Sequence, residues 1–443
     1  MSAENPEPFL NAAAANAVTG EAATKIDAST HPTAVEAAPS ATEPSVTRWA
    51  ILICAGVFAT TMSQPAVLRL PFQNLLKADL HVSRETMSSF FAVSTFAWYC
   101  KPLAGIFIDS FPLFGTRRKS YMVLSAIVAA ALYLVVGIVP RTYAAVLAAM
   151  VAVNCMLVVG STVAGGLTVE AGQRDGATGR LNSARNFVMN ACGLLGGPLG
   201  AFLAVRAFGL TTITGAIVCL SVVPFAFWIL KEPKVSKRNS QAWIDAKAQF
   251  KILMKSKILW WTVAFQFVFY ITPGFSTPLY YYQMDTLKFS QQFLGTIIVL
   301  SGAFGMIGSI FYGTFCTRWS LRTMLYVSII VNVLGTLAYL YYRSRMAAMI
   351  IESEGGFVAA IAVVALLDLA ARATPKGSES LGFALMISVG NLAAALSDII
   401  GSALVDHHIM TFFNLVWLNA GTTALILIVV PFLPKVLIDT RDA

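Results

Sequence analysis

Apolar stretches of about twenty residues recur along the chain from Trp49 to Leu433, each closed by a short polar segment. That is the length at which a helix crosses a hydrocarbon layer ~30 Å thick. Reading the runs against their breaks predicts spans at 48–70, 86–109, 120–139, 143–169, 182–205, 211–230, 258–283, 290–315, 321–342, 357–372, 380–404 and 411–433. The prediction is an all-α polytopic membrane protein with twelve transmembrane helices. Pro65, Pro102, Pro198 and Pro273 fall inside spans. Membrane helices accept such breaks where neighbouring groups re-satisfy the freed backbone.

Composition agrees with the pattern. Hydrophobic residues make up 57% of the 443, and charged residues only 12%, against roughly 25% in soluble domains. The net charge of +9 lies in the segments between apolar runs, so it sets topology and implies no nucleic-acid partner. Cys54, Cys100, Cys155, Cys192 and Cys219 fall in predicted spans and Cys316 at the end of one, without a CxxC spacing, which predicts free thiols and no metal. The chain carries no P-loop, nucleophile elbow or HExxH. Catalysis, ATP-driven transport and a cofactor are therefore not expected.

Lysines and arginines gather in alternate connections. Arg117, Arg118 and Lys119 follow span two, Arg174 and Arg180 follow span four, and Lys231, Lys234, Lys237, Arg238, Lys247, Lys251, Lys255 and Lys257 follow span six. The positive-inside rule then puts both termini in the cytoplasm, as for a multi-pass protein of the cell membrane. Residues 1–46, rich in Ala, Pro, Ser, Thr and Glu, read as a disordered cytoplasmic tail. Residues 47–230 form an N-terminal six-helix bundle, 231–257 a cytoplasmic linker, 258–434 a C-terminal six-helix bundle and 435–443 a second tail. Within the linker, Trp243, Ala246, Phe250 and Leu253 recur at helical spacing, and Lys247, Lys251 and Lys255 form a stripe. That predicts an amphipathic helix on the inner leaflet, with a solvated charged linker as the plainer alternative.

The two sets of six spans resemble one another. Span four ends Glu170-Ala-Gly-Gln-Arg174 and span ten ends Asp368-Leu-Ala-Ala-Arg372, each with an acid four residues before an arginine on one helix face. Gly105-Ile-Phe-Ile-Asp109 after span two is echoed by Gly313-Thr-Phe-Cys-Thr317 after span eight. Matching halves are the signature of transporter repeats, so two pseudo-symmetric bundles around one chamber are expected.

The segment from Gly105 through Asp109 and Gly115 to Arg117-Arg118-Lys119 resembles the loop motif of the major facilitator superfamily. With Lys101-Pro102-Leu103 ahead of it, Pro112 within it and Ser120-Tyr121 after it, the segment looks like the folate-biopterin transporter family. Pro375-Lys-Gly377-Ser-Glu379, Phe383-Ala-Leu385, Ser388 and Asn391 carry the likeness into the second half. The resemblance implies the major facilitator fold and transport of a pterin, folate or related organic anion.

Lys101 lies well inside span two, where an ionised lysine costs ~2.5 to 3.5 kcal/mol on insertion scales. It shares a helix face with Ser94 and Trp98, offering a cation and a flat indole to a charged heterocycle. A structural ion pair or a snorkelling side chain would explain it equally well. Gln64 and Asn154, mid-span amides, and Arg185, early in span five, complete the candidate substrate contacts. Arg185 can alternatively join the gate.

Gating falls to Asp109 with Arg117, Arg118 and Lys119, the superfamily latch, and to the rim pairs Glu170–Arg174 and Asp368–Arg372. Asp398 in span eleven is the candidate proton-coupling carboxylate, with an ordinary polar contact as the alternative. The reading is a proton-coupled carrier, acting as a monomer in the lipid bilayer with a small-molecule substrate. The alternatives are a carrier of an unrelated metabolite or drug and, from another class, a ligand sensor that moves nothing.

Overall fold

The computed structural model describes residues 46–116, 118–174, 178–230, 240–315, 318–375 and 379–439. Among them the regular structure is helical apart from one isolated bridge, Leu113–Thr116. Eleven described helices are long and apolar enough to cross a membrane. The twelfth crossing, span two, is broken into Arg84–Ser94, Phe96–Tyr99 and Lys101–Ser110. The fold is therefore the expected one: twelve crossings in two six-helix groups.

The break in span two has a local cause. Pro102 has no N–H to donate to the carbonyl of Trp98, four residues earlier. Side-chain hydroxyls bond carbonyls around the break. Thr95 Oγ1 donates to Phe91 O at 2.7 Å, Tyr99 Oη donates to Ala92 O at 2.8 Å, and Ser388 Oγ of span eleven donates to Trp98 O at 3.2 Å. The last of these ties the two halves together.

Spans one and seven, equivalent under the internal repeat, share another irregularity. Span one runs Thr47–Asp79, beyond the predicted 48–70, and ends in a π-helical turn, Leu75–Asp79. Span seven runs Lys257–Thr286 and ends in the π-helical turn Tyr282–Thr286. Such turns concentrate at functional sites. Span ten also starts earlier than predicted, running Arg345–Ala373 instead of 357–372. Glu352 and Glu354, placed by the hydropathy pattern in a connection, are inside the helix.

The halves meet along span five against span eight and span two against span eleven. These two pairs exchange under the repeat, as a pseudo-twofold arrangement requires. Close approach of spans five and eight depends on small residues, since a Cβ at Gly197 would lie 2.6 Å from Gly295 O. Bare backbones at such crossings let membrane helices pack by van der Waals contact.

The linker helix is Ser240–Lys255. Its Leu253 is buried with Leu259, Leu381 and Met386 of the second half, and Ile106 of span two packs on the same cluster. Ile244, Phe250 and Met254 are exposed with Lys247, Lys251 and Lys255.

Candidate functional site

A cavity of about 610 Å³ lies between the halves, lined by spans one, two, four, five, seven and eleven. Lys101 stands at its wall, immediately after the break in span two, and is 7% exposed. Its Nζ donates to Ser161 Oγ of span four at 3.0 Å and lies 5.6 Å from the centroid of the Trp98 ring. The ammonium thus keeps donors in reserve for a ligand. Trp98 is fixed in turn, because its Nε1 donates to Asn154 Oδ1 at 2.9 Å and the Asn154 amide donates to Met150 O at 2.9 Å.

Of the residues expected to contact substrate, the cavity brings together Gln64, Ser94, Trp98, Lys101 and Arg185. Asn154 does not reach the wall; it is wholly buried behind the indole. The Ser94 hydroxyl is spent on Phe91 O at 3.0 Å. The amide nitrogen of Gln64 makes no hydrogen bond to the protein. Arg185 stands close enough to Lys101 for the like charges to repel, an arrangement that an anion between them would relieve.

One charged wall residue, Arg69, is not among the sequence candidates. Arg69 lies next to the end of the predicted span 48–70. With span one running on to Asp79, it lies inside the helix, about 15 Å from the end at 1.5 Å per residue. Its Nη2 donates to Ser276 Oγ at 3.3 Å, and its guanidinium carbon is 5.2 Å from the Phe91 ring. Ser276 belongs to the short helix after Pro273. Asp398 lines the cavity too, accepting from Thr277 N at 2.9 Å and from Thr277 Oγ1 at 2.5 Å. Among the described wall residues the charges are therefore three cations and one acid.

At the end of the cavity facing away from the N-terminal end of span one, the distal rim, the halves are latched by polar contacts. Lys77 Nζ meets Asp285 Oδ1 at 2.6 Å and Arg84 Nη1 meets Asp406 Oδ1 at 3.0 Å. The backbone N–H of Glu85 adds 2.7 Å to Asp406 Oδ2, and His407 Nε2 is 3.0 Å from Glu85 Oε2. Tyr281 Oη donates to Val82 O, and its ring underlies Lys77 at 4.2 Å and Arg84 at 5.0 Å. Tyr280 and Tyr281 are buried at this rim. Trp260 and Trp261 are exposed, as a belt requires.

At the opposite rim Arg372 Nε bonds Asp368 Oδ1 at 2.9 Å and Tyr312 Oη donates to Asp368 Oδ2 at 3.0 Å, all within the second half. Lys119 Nζ donates to Phe227 O at 3.3 Å, and the Arg118 guanidinium packs beside Gly166. Arg117 and the side chains of Asp109, Glu170 and Arg174 lie outside the described residues, as does the tail 1–45.

Residues 64–442 match the model of the BT1 family. The chain belongs to this family. It is 28% identical over 386 residues to the folate-biopterin transporter of Synechocystis sp., covering 82% of this chain and 77% of that one. Among solved structures it is similar to the human organic anion transporter MFSD10 (TETRAN), with a TM-score of 0.65 at 16% identity, covering 88% of this chain and 100% of that one. The nucleoside transporter NupG gives 0.63 at 13% identity, covering 88% and 98%. These likenesses carry the major facilitator fold. This BT1 chain is a multi-pass membrane transporter for a small molecule, not an enzyme.

Proposed function

We propose that this BT1 transporter carries a pterin, folate or related organic anion by alternating access, driven by a proton gradient. The observation behind the substrate class is the Lys101 ammonium at 5.6 Å from the Trp98 ring, in a wall whose described charges are three cations and one acid. A carboxylate pairs with the ammonium while a flat heterocycle stacks on the indole. The names of the curated relatives, folate and folate-biopterin transporters, favour the same class.

The bodies that rock are 47–230 and 258–434, joined by 231–257, with 1–46, 435–443 and the linker in the cytoplasm of a cell-membrane protein. The cross-half contacts of the distal rim support an outer gate that is shut here. Asp109, Arg117, Arg118, Lys119, Glu170, Arg174, Asp368 and Arg372 form the gate at the other rim.

The test is uptake of labelled folate and of a pterin into proteoliposomes with and without an inward proton gradient. Saturable uptake of either supports the substrate class, and a gain with the gradient supports the coupling. A flat response to both ligands removes the substrate class and leaves the fold untouched.

A further inference from the structure

Glu352 is an acid in a membrane helix, and the site already described makes no use of it. It sits about two turns, ~10 Å, inside span ten from its start at Arg345. Tyr342 Oη, on a fully buried side chain, donates to Glu352 Oε1 at 3.1 Å. Tyr339 stacks on the Tyr342 ring at 5.4 Å and 6°, and stands next to both Glu352 and Glu354. Glu354 is the other titratable group of span ten here, with Oε2 unbonded against Gly335 of span nine. Among the described residues no lysine, arginine or histidine pairs with Glu352. An acid within a membrane helix that lacks a cation is a functional candidate by default.

The network leads to the distal latch. Gln283 Nε2 donates to Tyr342 Oη at 2.6 Å, and Gln283 belongs to the same π-helical turn as Asp285, the partner of Lys77 in the other half. Glu352, Tyr342, Gln283 and the latch thus form one connected series. By contrast, both carboxylate oxygens of Asp398 are engaged by Thr277, where they cap the helix Ser276–Tyr281.

We infer that Glu352 is the proton-binding site that couples the gradient to the distal gate, with Tyr342 and Gln283 as the link. The step is a proton taken from solution by a carboxylate oxygen, which leaves a neutral acid. That acid offers a donor where the carboxylate had only acceptors. The Tyr342 bond can then reverse, and Gln283 and its turn must adjust. This rests on the proton-coupled reading above.

Infrared difference spectra of the full chain in nanodiscs, taken between mildly alkaline and mildly acidic buffer without substrate, test it. A carboxylic-acid C=O band is expected in the wild type and in Asp398→Asn, and is expected to be lost in Glu352→Gln. Tyr342→Phe, which keeps the stacked ring, is expected to shift the band's midpoint without removing it. In proteoliposomes, Glu352→Gln is expected to bring the ratio of accumulation with and without the gradient down to unity. Persistence of the band in Glu352→Gln, its loss only in Asp398→Asn, or gradient-driven accumulation by Glu352→Gln overturns the assignment. A band that depends on Glu352 in a wild type indifferent to the gradient removes the coupling and keeps the proton site.

Discussion

Lys77 Nζ lies 2.6 Å from Asp285 Oδ1, and each residue sits in the π-helical turn that ends its span. The internal repeat thus places two equivalent irregular turns face to face, one bringing a cation and the other an acid. Burial sets how much each latch contact contributes. Asp285 is 48% exposed and Asp406 only 13%. An exposed pair contributes about 0 to 1 kcal/mol, whereas removing one partner of a buried pair costs several times more.

Asp406→Ala is therefore expected to open the distal rim far more than Asp285→Ala. Distances between spin labels on the ends of spans one and seven give the measurement. Equal effects of the two variants would contradict the burial argument.

Lys101→Ala is expected to abolish uptake while the protein remains folded and monodisperse. Trp98→Phe keeps an aromatic plane but loses the bond to Asn154. Stacking between aromatic rings contributes ~0.5 to 1.5 kcal/mol, so a misplaced ring should raise the substrate concentration for half-maximal uptake between about twofold and thirteenfold. Normal uptake by Lys101→Ala would assign the lysine to a structural role.

Ser388→Ala leaves the Trp98 carbonyl without its donor, at a cost of ~1 to 3 kcal/mol. Pro102→Ala restores an N–H that can serve that carbonyl. The double variant should recover much of the loss in thermal stability, and simple additivity of the two changes would refute the link.

Gly197→Val is expected to keep spans five and eight apart, because even a Cβ would lie 2.6 Å from Gly295 O. Expression should survive while transport is lost. Gly209→Ala, where a Cβ meets nothing within 4 Å, is the control and should behave as wild type in both assays.

Asp109→Asn, at the opposite rim, should change turnover more than apparent affinity in the same uptake assay. An unchanged turnover would argue against a gating role for this acid.

The fold was legible because lipid imposes one length and one composition on every crossing. The pairing of Lys101 with Trp98 was also legible, since three residues on a helix place side chains together. The boundaries of spans one and ten were not. Glu352 and Glu354 lower hydropathy near the start of span ten, so the pattern begins beyond them, and Arg69 does the same near the predicted end of span one. Their accommodation depends on Ser276 and Phe91 for Arg69, and on Tyr342 for Glu352. The latch was illegible for a related reason, since Arg84 and Asp406 stand 322 positions apart. Pro102 signalled a break in span two, but its placement at Thr95 and Cys100 goes with hydroxyls of Thr95 and Tyr99 that bond carbonyls beside it.

Because span two is jointed between Ser94 and Lys101, its two rigid pieces have separate duties. The piece beginning at Arg84 grips Asp406, and the piece beginning at Lys101 carries an ammonium to the wall of the cavity. A pull on the ammonium then reaches the lock along a single lever with a built-in elbow, so occupancy of the chamber and release of the far door can be read by one stretch of backbone.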